Sequence, residues 1–276
     1  MTPGLEQHTL RSSAVMIGRG LHTGEECRIE IMPAEPDSGI VFISKGEEIA
    51  AVVANVRDTN RGTTLQRSSA EVHTVEHLLA ALAGMSVDNA RVRVEGAEIP
   101  AADGSALPFV ELMEEAGIVG QGCELRPARL DVPVWAMDGA KCLIAVPGEG
   151  FRVSCLISFQ HRLIGEQAFS AGIDAKTFKR EIAPARTFCT SDEIAAILAQ
   201  GLGKGGNEEN TIVVGEDGCS TALRFPDEFV RHKVLDLIGD LALVGRRLCA
   251  DVMGIKTSHA LNVALARAID MRFPAA

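Results

Sequence analysis

The sequence predicts an α+β protein of two similarly built, layered α/β domains, and three observations carry that expectation. Short apolar runs broken by Gly and Pro fill residues 13–56, helix-patterned text follows, and beyond a glycine- and proline-bearing stretch the progression starts again. Both halves close as helix, strand, helix. In the first, His77 precedes Gly84 by seven residues, and in the second His232 precedes Gly239 by the same interval.

Taken in order, "AVMIG", "CRIEIMPA", "GIVFIS" and "IAAVVANV" read as strands, because β-branched residues alternate between turn formers. "EVHTVEHLLAALAG" (71–84) reads as a helix with Thr74 as N-cap and Gly84 as its stop. Strand "ARVRVEG", loop "AEIPAADGSA" and helix "LPFVELMEEAG" follow, the last closing at Gly117. "GQGCELRPA" (120–128) has a linker's composition and divides the chain into domains 1–120 and 126–276. Strands "RLDVPVWAM", "KCLIAVPG" and "FRVSCLISF" then lead to helical "DEIAAILAQGL", turn "GLGKGGNEEN" and strand "TIVVG". Helix "EFVRHKVLDLIGDLALVG" (228–245), strand "ADVMGIKTS" and helix "ALNVALARAI" end the chain.

Bulk properties narrow the function. With 46% hydrophobic residues in 276, each domain has material for a core. A net charge of -10, from 27 basic against 37 acidic residues, excludes non-specific nucleic-acid binding, which needs a positive field. Seven scattered cysteines without a CxxC fit a reducing compartment, and no apolar run of about 18 residues or signal-type N-terminus is present. A cytoplasmic monomer with no membrane span is expected.

The chemistry gathers on the 228–245 helix. His232, Asp236 and Asp240 fall at i, i+4 and i+8 and form one polar stripe on an otherwise apolar cylinder. An i, i+4 pair presents two ligands to one ion, and His77 from the other half would supply a third. Two imidazoles and a carboxylate suit zinc with an open position and equally suit non-haem Fe(II); spacing does not choose. Glu76 lies at the positive end of its helix, as a general base or as an ordinary helix-start acid. His259, at the start of the last helix, is a cap, a core histidine, or a charged imidazole oriented by Asp240. "GLGKGGNEEN" lacks the phosphate-loop spacing, and "ADGS" (102–105) reads as a plain turn.

Seven segments in order, "GRGLHTG" (18–24), "TVEHLLAALAG" (74–84), "VDN" (87–89), "EIPAADGSALPFV" (98–110), "ARTF" (185–188), "RFPDEFVRHKVLDLIGDL" (224–241) and "SHALN" (258–262), resemble the zinc-dependent UDP-3-O-acyl-N-acetylglucosamine deacetylases of lipid A biosynthesis. The resemblance implies two-layer α/β sandwich domains packed around a cleft, each with a small insertion. It implies Zn2+, with Fe2+ as the alternative, on His77, His232 and Asp236, with Glu76 as general base. His259, beside Asp240, would protonate the leaving amine, and Thr187 would bind the oxyanion. Phe188 and Lys233 would contact the UDP-3-O-acyl-N-acetylglucosamine substrate. An insertion near 190–215, with Ile194 and Gly206, would line a passage for the acyl chain. The chain departs from the family's small and apolar pattern at Asn207, Glu208, Glu209 and Asn210. The competing readings are an Fe(II) oxygenase and a metal-stabilised sugar-lipid binding module.

Overall fold

The computed structural model describes residues 6–273. Its two principal sheets repeat one plan. In the first half, β1 (Ala14–Arg19), β2 (Glu26–Pro33), β3 (Ile40–Ser44), β4 (Glu47–Ala50) and β5 (Ala90–Glu95) lie in the order β1-β2-β5-β3-β4. In the second, β6 (Val134–Asp138), β7 (Lys141–Pro147), β8 (Phe151–Ser158), β9 (Glu166–Gly172) and β10 (Leu248–Ile255) lie in the order β6-β7-β10-β8-β9. Each sheet has one parallel pair, β3 with β5 and β8 with β10, and is otherwise antiparallel along this path. Helices α1 (Glu76–Gly84) and α2 (Leu107–Ala116) flank β5, as α3 (Glu228–Leu241) and α4 (His259–Asp270) flank β10.

Alternation sets which face is inward. On β2, Cys27, Ile29 and Ile31 are buried while Arg28 and Glu30 pair outward with Glu95 and Arg93. On β8, Val153, Cys155 and Ile157 are the buried set. The helices α1 and α3 are buried on almost every residue, α3 with its polar stripe turned inward, and they pack against each other between the layers.

Glycine permits that contact. A Cβ on Gly239 would lie 2.0 Å from the carbonyl oxygen of Glu76, and one on Gly84 would lie 2.2 Å from the ring of Phe178. The His-to-Gly interval seen in both halves therefore marks places where another chain segment meets the helix backbone. Gly84 ends α1, as expected, but its position is dictated by packing rather than by a left-handed stop.

Several sequence expectations need correction. "IAAVVANV" is not one strand: Glu47–Ala50 ends before a 3₁₀ turn at Val53–Asn55, and a separate strand begins at Val56. Thr74 does not cap α1; Val75 occupies that place without a side-chain bond, and Thr74 sits at φ 56° with its hydroxyl donating to Glu98 Oε1 at 2.8 Å. A β-branched residue in the left-handed region is strained, and the buried Glu98 carboxylate is what holds it. The stretch read as a linker is mostly strand: Ile118–Glu124 pairs with Glu6–Leu10, since Gly and Gln there face an edge rather than a core. Residues 56–72, given no elements from sequence beyond Val56, form a three-stranded sheet of Val56–Asp58, Thr64–Arg67 and Ala70–Val72, too short and polar to show a period. Gly117, at φ 78°, closes α2 as expected.

Because the obstacle at Gly239 is backbone, it cannot be relieved by a rotamer change. Gly239→Ala should lower stability by about 1–3 kcal/mol, read as a drop in the urea midpoint at unchanged slope.

Candidate metal centre

The crossing of α1 and α3 brings three side chains from opposite halves together. His77, His232 and Asp236 are all buried, and one donor atom from each lies within 4.8 Å of the others. His77 Nε2 is 3.6 Å and His232 Nε2 3.3 Å from Asp236 Oδ1, with the two rings edge-on at 5.1 Å. The sequence spacing places His232 and Asp236 one above the other on α3; the helix crossing supplies His77.

The donor set fits a cation. His232 Nδ1–H donates to the carbonyl of Ala185 at 3.1 Å, which leaves Nε2 as the lone-pair nitrogen. Burial pushes this imidazole down to about 3 despite Asp236 beside it, so it is neutral. Burial opposes ionisation of Asp236, yet the Lys233 ammonium and the charged His259 imidazole hold it well below the usual carboxylate range. Lys233 Nζ–H donates to Asp236 Oδ2 at 2.8 Å, whereas Oδ1 is buried with no hydrogen-bond partner among the described residues. An orphaned carboxylate oxygen facing two imidazole nitrogens matches a metal-ligand role.

A buried carboxyl and a carboxylate-bound imidazole flank the trio. Glu76, buried in the first turn of α1, accepts from the backbone N–H of Thr63 at 2.9 Å, and burial raises its pKa against the pull of His259 and His77. His259 Nδ1–H donates to Asp240 Oδ2 at 2.9 Å, and its Nε2 lies 4.0 Å from Asp236 Oδ2. Burial alone would depress this imidazole, but Asp240 and Asp236 lift it to about 10. A cation at Asp236 would offset part of that lift. His259 is the first residue of α4, and Ser258 before it is the cap position.

The surrounding motifs have structural causes that spacing did not reveal. Glu98 accepts from His22 N–H, Thr23 N–H and the hydroxyls of Thr23 and Thr74, which fixes the "GRGLHTG" loop against the turn before α1. Arg186 and Glu228 form a buried ion pair, with Arg186 N–H and Nε–H both donating to Glu228 Oε1, and so pin "ARTF" to the first turn of α3. The "ADGS" turn, given no chemistry from spacing, joins the halves: Gly104 O accepts from Thr187 N–H at 2.8 Å and Asp103 pairs with Arg224. Thr187 thus reaches its place through its backbone. Phe188 packs against Phe159, Phe229 and the ring of His232, and Lys233 Nζ sits 5.5 Å from the Phe188 ring centre. Phe159 was missed in the sequence because it ends a run that reads as ordinary strand.

The insertion contains the short helix Ile194–Ala199, opened by half-buried Ile194, and the strand Ile212–Val214 paired with Phe188–Thr190. Its loop is held to the first half: Lys204 and Gly205 N–H donate to the carbonyls of His22 and Leu21, and Gly203 N–H to His22 Nδ1. Gly206 packs beside Leu21 rather than among the metal-centre residues. The polar run is a self-capped turn, in which Asn207 Oδ1 accepts from Glu209 and Asn210 N–H, Asn210 is buried, and Asn207, Glu208 and Glu209 are exposed. A cavity of about 270 Å³ lies along this seam between His22, Gly62, Thr74 and Leu202. A larger one, about 990 Å³, opens at the other ends of α1 and α3 around Leu82, Leu241 and Arg247, away from the metal trio.

Two imidazoles and a carboxylate that could hold one metal ion lie beside a buried carboxyl and a carboxylate-bound imidazole, an arrangement that suits a hydrolase. The family model described as LpxC, UDP-3-O-acyl N-acetylglycosamine deacetylase, matches residues 7–271, and the chain belongs to that family. UDP-3-O-acyl-N-acetylglucosamine deacetylases similar to it include that of Anaeromyxobacter sp. (strain Fw109-5), 44% identical over 267 residues, covering 95% of this chain and 88% of the relative. Those of Myxococcus xanthus (42% over 269 residues, 95% and 86%) and Saccharophagus degradans (42% over 270 residues, 94% and 88%) are comparable.

His259 offers a direct check of the electrostatics. Its folded pKa is raised above the ordinary 6.5, so the stability it contributes is present below that value and is lost as pH rises through about 10. In the metal-free protein, NMR should find the His259 imidazole still protonated at pH 8, and Asp240→Asn should bring its titration down toward the ordinary histidine range.

Proposed function

We propose that the chain hydrolyses the N-acetyl group of UDP-3-O-acyl-N-acetylglucosamine in the cytoplasm, giving UDP-3-O-acyl-glucosamine and acetate, an early step of lipid A biosynthesis. The observation that carries the reading is the convergence of His77, His232 and the unpartnered Asp236 Oδ1 between a buried carboxyl and a carboxylate-bound imidazole. Family membership supplies the substrate class. The two halves, 1–120 and 126–276, act as similarly built sandwich domains on either side of the site, each contributing part of it.

Zinc is the proposed metal, which His77, His232 and Asp236 would hold, with Fe2+ compatible with the same donors; when bound there it would supply a Lewis acid and lower the pKa of water from about 15.7 toward about 7. Glu76 takes the proton of the attacking water, a duty suited to a buried carboxyl whose pKa burial has raised. The Thr187 hydroxyl donates to the oxyanion that forms on the acetyl carbonyl, a contribution typically about 3 kcal/mol for one such donor. His259, charged and oriented by Asp240, passes a proton from Nε2 to the glucosamine nitrogen, the C–N bond breaks, and acetate leaves. Amine anions are poor leaving groups, so this proton is required. Lys233 and Phe188 meet the nucleotide-sugar, and the insertion with Ile194 and Gly206 receives the acyl chain.

The test is to incubate zinc-loaded protein with UDP-3-O-acyl-N-acetylglucosamines of graded chain length and measure free amine. Removal of metal should abolish acetate release. His259→Ala should lower kcat about 10²- to 10⁴-fold while retaining bound zinc. Oxygen-dependent turnover, or full activity in Glu76→Ala, would contradict the reading.

A further inference from the structure

Thr63 lies at the end of the loop between Val56–Asp58 and Thr64–Arg67, in the small sheet that interrupts the first half, and it is fully buried. Its polar groups face different halves of the protein. The backbone N–H donates to Glu76 Oε2 at 2.9 Å, and the hydroxyl donates to Asp240 Oδ1 at 2.5 Å. Its carbonyl accepts from Val75 N–H at 3.2 Å, which ties the loop to the residue before α1. One residue therefore touches the proposed base and the carboxylate behind the proposed acid.

Asp240 is fully buried, and its other oxygen accepts from His259 Nδ1–H and Asn262 Nδ2–H, each at 2.9 Å. Among the described residues the Thr63 hydroxyl is the one hydrogen-bond donor to Oδ1. Without it the carboxylate is held only through Oδ2, so it can turn about its Cβ–Cγ bond more easily, and the imidazole bonded to Oδ2 turns with it. The far nitrogen of that ring, Nε2, is the atom that must meet the substrate nitrogen. A small rotation at Asp240 is thus magnified at the reacting end, where displacements on the order of 1 Å are costly. Gly62 makes the approach possible, because a Cβ there would lie 3.1 Å from Glu76 Oε1. The β-branch of threonine stiffens χ1 and so aims the hydroxyl.

We propose that Thr63 is a positioning residue that keeps Glu76 and the Asp240–His259 pair in register across the two halves. The inference rests on the roles given above to Glu76 and His259. It adds that the first-half insertion, which supplies none of the proposed metal, acid or base residues, fixes the geometry of proton transfer.

The experiment compares Thr63→Val, Thr63→Ser and Thr63→Ala in the parent and in His259→Ala, all zinc-loaded, measuring kcat, KM, metal content and melting temperature. Thr63→Val keeps the backbone N–H to Glu76 and removes the hydroxyl alone. It should lower kcat about 10- to 100-fold with KM and bound metal unchanged, and Thr63→Ser should recover activity to within a few-fold. In the His259→Ala background the valine should cause no further fall. Thr63→Ala, which leaves space beside Asp240 instead of an apolar branch, should give the same pattern and serves if the valine form folds poorly. Parental kcat in both hydroxyl-less variants, an equal fall in both backgrounds, or loss of metal with activity would overturn the inference. His259→Ala with parental kcat would overturn the acid assignment and this inference together, whereas a normal His259→Ala effect beside a silent Thr63→Val overturns this inference alone.

Discussion

The site depends on one backbone contact, the seating of the Glu76 carbonyl on Gly239 where α1 crosses α3. Any larger residue at 239 would hold the helices apart, and both sets of functional side chains radiate from this point. On α3, Asp236 lies one turn before the contact and Asp240 one residue after it; on α1, Glu76 forms the contact and His77 follows. The crossing therefore gathers the proposed metal donors and the proposed acid and base around a shared pivot.

Burying Glu76, Asp236 and Asp240 close together would be prohibitive if their surroundings were alike. They are not alike. Asp236 is held ionised by Lys233 and the charged His259, while one of its oxygens has no hydrogen-bond partner among the described residues. Asp240 is satisfied by Thr63, His259 and Asn262. Glu76 receives a backbone N–H, and burial raises its pKa. Different hydrogen-bond environments thus set apart the proposed ligand, orienting anion and proton acceptor, three carboxyls of similar chemistry.

Much of this was legible in the sequence, for identifiable reasons. The stripe of His232, Asp236 and Asp240 is a local helical period, and β2, β3 and β5 show alternation that survives without tertiary context. The histidine-glycine interval exposed the repeated architecture, although its cause, close packing at Gly84 and Gly239, needed coordinates. What failed was non-local. Thr74 has a cap's chemistry but spends its hydroxyl on Glu98, and "GQGC" has a linker's composition but pairs with Glu6–Leu10. Thr63 and Gly104 act through atoms that reach the other half, which no spacing within one segment can reveal. The polar run at Asn207–Asn210 similarly belongs to a turn that caps itself.

The central claim is that one ion is shared by helices from the two halves. X-ray absorption on the zinc-loaded protein, beside zinc-loaded His77→Ala, tests it most directly. The account predicts two imidazole nitrogens and one carboxylate oxygen at about 2.0–2.2 Å, with one imidazole lost in the variant. A metal environment identical in the two proteins, or one that includes the His259 ring, would contradict it.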